Sequence, residues 1–334
     1  MTKGLVTVFG GSGFIGRYAA RELVKKGWRV RVACRNVNTA GDVRLAGTPG
    51  WVDIVQANVR NRDSVVRALD GADAVVNLVG ILFEKGPQTF ESSQRDGAAL
   101  LAEVAAEKGI SRFVQISAIG ADSASGSDYA RTKGEAEQAV RDAVPTATIL
   151  RPSIVFGPED EFFNRFAALA SSAPMSIFPV MPAIGGGKTC FQPVYAGDVA
   201  DAIAVAVDDA GTAGKTYELG GPRRYTFNEI YDVVLSTIDR KRFKLPLPFF
   251  VAKPMGYLIA AVWRYMPPFC WGFLGEPPIT ADQVELLKTD NVVADDALTL
   301  KDLGIVELES VEAIVPSYLW RFRPYGEFHK PSEA

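Results

Sequence analysis

A glycine-rich turn near the start of the chain, Gly10-Gly11-Ser12-Gly13-Phe14-Ile15-Gly16, limits the folds open to it. It follows an apolar run, Leu5-Val6-Thr7-Val8-Phe9, and opens a helical pattern that continues to about Lys26. Glycines at 10, 13 and 16 let the backbone turn sharply, approach a pyrophosphate closely and pack a helix tightly on a strand. The helix N-terminus behind them offers free N–H groups and a partial positive charge to phosphates. The spacing is G-x-x-G-x-x-G, not G-x-G-x-x-G, and a purely structural glycine turn is the competing reading. With a strand before it and a helix after it, the turn reads as a dinucleotide site in which Gly10, Ser12, Gly13, Phe14, Ile15 and Gly16 meet the cofactor.

The stretches that follow alternate between strand and helix. Val30 to Cys34 reads as a second strand, Val52 to Gln56 as a third, Ala74 to Gly80 as a fourth, Arg112 to Ser117 as a fifth and Ala147 to Pro152 as a sixth. Helical patterns run over Arg62–Leu69 and Phe90–Lys108, the second closed by Gly109. This rhythm predicts an α/β fold, a Rossmann-like doubly wound parallel sheet with a smaller C-terminal α/β subdomain. Residues 1–155 form the nucleotide domain, to which the chain returns at about 190–220; residues 156–330 form the subdomain. Ligands of such sheets sit beyond the carboxyl ends of the strands, where Gly80 and Ser117 fall.

The second strand ends in Arg35, with no acid before Asp42. A ribose 2′-hydroxyl calls for an acid here and a 2′-phosphate for an arginine, so NADPH is expected over NADH. Arg17 is a second candidate for that phosphate; the plainer alternative is that both arginines are solvated surface groups. Asn58-Val59 is placed to bracket an adenine ring. Ser127 or Asp128 starts another helix, on which Tyr129 and Lys133 share a face four residues apart. A lysine ammonium favours phenolate and can hold the nicotinamide ribose, while Ser117 can bond a substrate oxygen. Ser117, Tyr129 and Lys133 could thus move a proton beside a hydride donor. An exposed Tyr–Lys pair without function is the alternative.

Composition excludes several other classes. A net charge of -3 argues against nucleic acid as a partner. Cys34, Cys190 and Cys270 are odd in number and far apart, which points to reduced thiols, not to a disulfide framework or a zinc site. The single histidine is His329, so neither a histidine deep in the fold nor a His-ligated metal is expected. The first strand begins almost at Met1, and no cleavable leader is expected.

After Pro152 the order loosens: a short helix over Phe162–Leu169, a Pro- and Gly-rich stretch through Gly187, a helix ending near Asp208, a strand at Thr216–Gly221 and a helix over Phe227–Ile238. Between Leu245 and Gly275 aromatic and aliphatic residues crowd together, among them Phe249, Phe250, Tyr257, Leu258, Trp263, Met266, Phe269, Trp271, Phe273 and Leu274. Its uncharged runs are too short to span a bilayer. The segment suits a helix against a membrane surface or a partner protein, or else a small apolar subdomain packed on itself.

GGSGFIG, Tyr129-x-x-x-Lys133, Arg151-Pro152-Ser153-Ile154-Val155-Phe156-Gly157 and Pro193-Val194-Tyr195 through Asp198-Val199 together resemble the extended or atypical short-chain dehydrogenases/reductases. Ile154–Asp160 with Asn164, Gln192–Tyr195, Pro246-Leu247-Pro248 and Leu303-Gly304-Ile305 are similar to the Rossmann-type accessory subunits of respiratory complex I, the alpha-subcomplex subunit nine family. The resemblance reaches to about Phe328 and implies a held NADPH that does not turn over. It implies Leu78, Pro152 and Ile154 as further cofactor contacts, and Arg17 and Arg35 match the family's NADPH preference. It also implies a place on the peripheral arm beside the quinone-site subunits and the membrane, on the cytoplasmic side in a bacterium or the matrix side in a mitochondrion. Two further readings of the same motifs are an NADP-dependent reductase or nucleotide-sugar epimerase/dehydratase, and an organiser of ubiquinone biosynthesis.

Overall fold

In chain order the elements that frame the site are β1 (Leu5–Phe9), α1 (Phe14–Lys25), β2 (Arg29–Cys34), β3 (Val52–Gln56), α2 (Arg62–Ala68), β4 (Ala74–Asn77), α3 (Asp96–Glu107), β5 (Arg112–Ile116), α4 (Asp128–Ala143) and β6 (Thr148–Pro152). The structure is a computed structural model and describes residues 2–172, 179–265 and 279–328. The chain divides into two compact units, the first comprising Met1–Pro152, Ala196–Leu219 and Val293–Glu307.

In this first unit seven strands pair in parallel in the order Thr216–Leu219, β6, β5, β4, β1, β2, β3. The doubly wound sheet expected from the alternation is present. All four residues of β4 are buried, as a parallel strand covered on both faces requires. Helices α2, α3 and α4 bury Val65, Ala68, Leu101, Val104, Ala136 and Val140 against Phe9, Val75, Phe113 and Ile149 of the sheet. The strand order reverses at β1, which lies between β4 and β2. A doubly wound sheet opens a crevice for ligand where its order reverses. The Val293–Glu307 stretch joins this unit through the Ala294 N–H, which donates to the Glu218 carboxylate at 2.9 Å, and a bridge between Tyr217 and Leu298.

Several buried polar groups of the sheet and its helices are paired. The Thr7 hydroxyl donates to the Ala68 carbonyl at 3.0 Å, and the Asn77 amide to Gln115 at 2.9 Å. Glu137 of α4 is 1% exposed, and the Arg151 guanidinium of β6 grips it with two bonds of 2.8 and 2.7 Å. Arg141 adds a third bond at 3.3 Å. The Glu137 carboxylate in turn holds the Arg151 guanidinium above its ordinary pKa. This pair pins α4 to the sheet and with it the face that carries Tyr129 and Lys133.

The second unit comprises Ser153–Tyr195, Gly220–Val292 and Leu308–Ala334. Its core is aromatic: Phe156, Phe163, Phe191, Phe227 and Tyr231 are buried, and Phe162 and Phe166 meet their neighbours edge-on. Asp160 is buried there and accepts from the Tyr318 hydroxyl and from the backbone N–H groups of Gly157 and Asn164. Burial pushes the Asp160 carboxyl pKa up, and these bonds offset part of that rise.

Three elements differ from expectation. The Pro- and Gly-rich stretch before Gly187 contains a strand, Val180–Ile184, paired in parallel with Phe243–Leu247. The aromatic segment therefore begins as a strand, and its helix runs over Phe249–Tyr265 with Pro254 inside. Neither strand is visible locally, because each exists only through its distant partner. The helix expected from Phe90 opens with a wider turn over Glu91–Arg95 before α3 begins. Ser127, one of the two expected caps, starts α4, its side chain accepting from the Ala130 N–H. Residues of the aromatic segment beyond 265, with Met266, Phe269, Trp271, Phe273 and Leu274, lie outside the described residues, as do Cys270 and His329.

Glu137→Ala would leave the Arg151 guanidinium half-buried without its main partner. Removing one member of a buried pair costs about 3–5 kcal/mol. Urea unfolding should show a midpoint lowered to match, with a slope close to that of the unaltered chain.

Candidate nucleotide site

The glycine turn lies at the carboxyl end of β1, where the strand order reverses. Gly10 has φ +76, and its N–H donates to the Ala33 carbonyl of β2 at 3.1 Å. A Cβ there would come within 3.2 Å of the Leu78 carbonyl carbon, just past β4. Gly16 is held more tightly still: a Cβ would overlap the Gly10 carbonyl and the Gly11 backbone. These two glycines let the turn, the first helix and the end of β4 meet backbone to backbone. Gly13 is the N-cap of α1 and supplies no side-chain cap, so the first N–H groups of the helix remain available to an anion.

A cleft of about 240 Å³ opens beside this turn. Of the expected cofactor residues, Gly10, Ser12, Gly13, Arg35, Asn58, Val59, Leu78 and Gly80 line it together. Phe14, Ile15 and Gly16 sit in the first turn of α1. Arg17 follows them and does not line the cleft; its guanidinium Nε lies 3.3 Å from the Asp42 carboxylate. Arg35 is exposed at the cleft edge. The cleft wall also includes Cys34, Arg60, Ile81, Gln88 and Ser93, which the motif reading did not name. Arg60 and Cys34 adjoin named residues in sequence, a signal that could have found them; Gln88 arrives from a loop whose path the sequence does not reveal. Burial pushes the Cys34 thiol pKa up, which favours the inert thiol.

The three expected catalytic residues lie on β5's end and on α4. Lys133 is buried, and its Nζ donates to the Ile116 carbonyl at 3.2 Å. A Cβ on Gly80 would sit 3.4 Å from that nitrogen, so Gly80 leaves the ammonium its space. Ser117, next to Ile116, is 3% exposed, and its hydroxyl has no hydrogen-bond partner among the described residues. A buried hydroxyl left unpaired costs roughly 1–3 kcal/mol and marks a place where a ligand oxygen would bond. Tyr129 is half-buried, with its ring edge-on to Phe90 at 5.9 Å. Pro152 ends β6, and its carbonyl accepts from the Ile119 N–H at 3.0 Å. Ile154 belongs to the second unit, where its carbonyl accepts from the Val194 N–H at 2.9 Å.

Burial lowers the Lys133 pKa to about 8, against a smaller opposing pull from Glu137 one turn on. Near neutrality the side chain is mostly an ammonium held at a desolvation cost. Such a cation can donate to ribose hydroxyls and favour the ionised form of a nearby phenol. The cleft therefore fits a dinucleotide. It has a glycine cradle that a Cβ would fill and an uncapped helix N-terminus for the pyrophosphate; Ser117, Tyr129 and Lys133 are not among its lining residues, and Lys133 adjoins it only behind Gly80. Among the described residues no group of three or more His, Cys, Asp or Glu side chains could hold a metal.

Residues 6–220 match the NAD dependent epimerase/dehydratase family. Over 306 residues the chain is 38% identical to the mitochondrial NADH dehydrogenase (ubiquinone) 1 alpha subcomplex subunit 9 of Arabidopsis thaliana, covering 90% of this chain and 74% of the plant protein. The protein of the same name from Mus musculus is 33% identical over 316 residues, covering 93% of this chain and 79% of the mouse protein. Among solved structures, the Thermus thermophilus UDP-glucose 4-epimerase in complex with NAD superposes with a TM-score of 0.66 at 19% identity, covering 96% of this chain and 99% of that one. At that identity the likeness establishes the shared fold.

The lowered Lys133 pKa makes stability depend on pH. Between about 8 and the ordinary value of 10.5 the unfolded chain binds the proton and the folded one does not. Stability from this group therefore rises with pH across that window, and the cost is full below it. Without nucleotide, the unaltered chain should gain on Lys133→Met by roughly 3 kcal/mol between pH 7 and pH 10.5. Urea midpoints of both proteins at those pH values would measure it, and parallel pH profiles would refute it.

Proposed function

The chain belongs to the NAD dependent epimerase/dehydratase family, and within it to the alpha subcomplex subunit 9 proteins; from that premise we propose that it is an NADPH-holding accessory subunit of respiratory complex I. The observation that carries this is the reach of the identity. It covers 90% of the chain, whereas the broad family match ends at residue 220. The likeness thus runs well past residue 220, into the later stretches of the second unit.

On this reading the glycine turn and the N-terminus of α1 take the pyrophosphate, and Asn58 and Val59 bracket the adenine. Arg35 takes the 2′-phosphate, supported by its place at the cleft edge and by the lack of an acid at the end of β2. Arg17, already paired with Asp42, is the less available cation. Ser117, Tyr129 and Lys133 hold the nicotinamide ribose as clamps. Bound NADPH supplies a hydride, and these same side chains are the ones that would position a carbonyl and deliver a proton. That intact set is what favours the second reading, an NADP-dependent reductase.

The second unit supplies a surface suited to assembly. Phe243 and Leu245 on the strand, with Phe250, Tyr257 and Leu258 on the following helix, are each more than half exposed. Large exposed apolar side chains on adjoining elements mark an interaction surface. No helix among the described residues is long and apolar enough to cross a membrane. We assign this surface to neighbouring complex I subunits and to peripheral contact with the inner membrane, on its cytoplasmic side in a bacterium or its matrix side in a mitochondrion.

Two experiments test the proposal. After mild detergent extraction of native membranes, the chain should migrate with complex I and release NADPH on denaturation, and Tyr129→Phe should migrate likewise. Migration alone, with carbonyl-dependent NADPH oxidation abolished in Tyr129→Phe, would establish the reductase instead. Arg35→Glu should weaken NADPH binding by about tenfold or more while leaving NADH binding within about threefold, since one charge-assisted contact to the 2′-phosphate is lost.

A further inference from the structure

On the nucleotide-site reading Arg60 is given no part in holding the phosphates, adenine or ribose, yet it lines the cleft together with Gln88 and Ile81. Its backbone is rigidly held. The Asn58 side-chain oxygen accepts from the Arg60 N–H at 3.0 Å, and the Asn58 carbonyl accepts from the Asn61 N–H at 2.9 Å. The Ser64 hydroxyl ties this turn to α2 by donating to the Asn58 and Asn61 carbonyls. From this fixed base the Arg60 guanidinium reaches the Pro87 carbonyl, to which Nη1 donates at 2.6 Å.

Pro87 lies at the tip of the loop that joins β4 to the turn before α3. The tip is self-contained: Lys85 and Gln88 exchange backbone bonds of 3.0 and 3.1 Å, and Gly86 adopts φ +57 to allow the turn. At its far side the Glu84 carboxylate accepts from the Phe90 N–H at 2.9 Å. The Pro87 carbonyl also accepts from the Ser92 hydroxyl at 3.1 Å, a bond local to the loop and the turn that follows it; the Arg60 guanidinium adds the charge-assisted bond that ties the tip to the turn after β3.

We propose that Arg60 is a positioning residue that latches the 81–90 loop against the turn after β3, and so governs how fast nucleotide leaves the cleft. This rests on the reading of the cleft as a nicotinamide nucleotide site. A latch acts on the loop, not on the 2′-phosphate, so it must slow release of NADPH and NADH alike.

The full-length chain would be loaded with either nucleotide and release followed by fluorescence after dilution. Arg60→Ala should speed release of both by a similar factor, roughly tenfold for one lost charge-assisted bond. In the nucleotide-free protein, trypsin should cut after Lys85 faster in Arg60→Ala than in the unaltered chain. Faster release of NADPH alone would make Arg60 a phosphate contact and overturn the latch, as would an unchanged cut after Lys85. If the unaltered chain binds neither nucleotide, the cofactor reading fails, and the retention role fails with it whatever trypsin reports.

Discussion

Everything at the site depends on one steric fact, the backbone-to-backbone contact inside the glycine turn. Because a Cβ at Gly16 would overlap the Gly10 carbonyl, the first turn of α1 can lie directly on the end of β1. Because Gly10 approaches the Leu78 carbonyl, the end of β4 closes on the same turn. The crevice between β1 and β4 is thereby given a floor of backbone beside the uncapped N-terminus of α1. Any side chain at either glycine would lift the helix off the sheet and remove both the floor and the packing.

Electrostatics organise the region of α4 behind Gly80. Lys133 is buried at a desolvation cost that lowers its pKa to about 8, and it is kept in place by the Ile116 carbonyl and by the room Gly80 leaves. One helical turn away Glu137 offsets part of that cost, while Arg151 and Arg141 satisfy the carboxylate itself. The Glu137–Arg151 pair acts as an anchor, not as a large net stabiliser, since a buried ion pair recovers little beyond its own desolvation. Its consequence is geometric. The face of α4 that carries Tyr129 and Lys133 cannot rotate without breaking it, so the placement of these two side chains and the helix anchor are one construction.

The second unit follows a different logic. Its core is built from interlocking rings, with Phe166 edge-on to Phe227 and Tyr231 at 5.4 and 5.1 Å. Rings pack this way because their edges and faces carry opposite partial charge. With that core already filled, the unit still presents Phe250, Tyr257 and Leu258 to the outside. Those exposed side chains belong to the second unit, whereas the glycine turn and the cleft beside it belong to the first.

Local patterns alone were enough to read the parallel sheet, the glycine turn and the helix that pairs Tyr129 with Lys133. Each depends on neighbours within a few residues: an apolar run, a glycine spacing, a four-residue step on a helix. What the pattern could not supply was anything that depends on a distant partner. The strands Val180–Ile184 and Phe243–Leu247 exist because they pair with each other across some sixty residues. The availability of Arg35 over Arg17 was decided by Asp42 reaching Arg17. The buried state of Lys133, the orphaned hydroxyl of Ser117 and the reach of Arg60 to Pro87 likewise arise only when separate segments meet. Sequence determines which groups are present and how the nearest of them are spaced; desolvation and partner choice are properties of the packed interior, and the tertiary structure alone decides them.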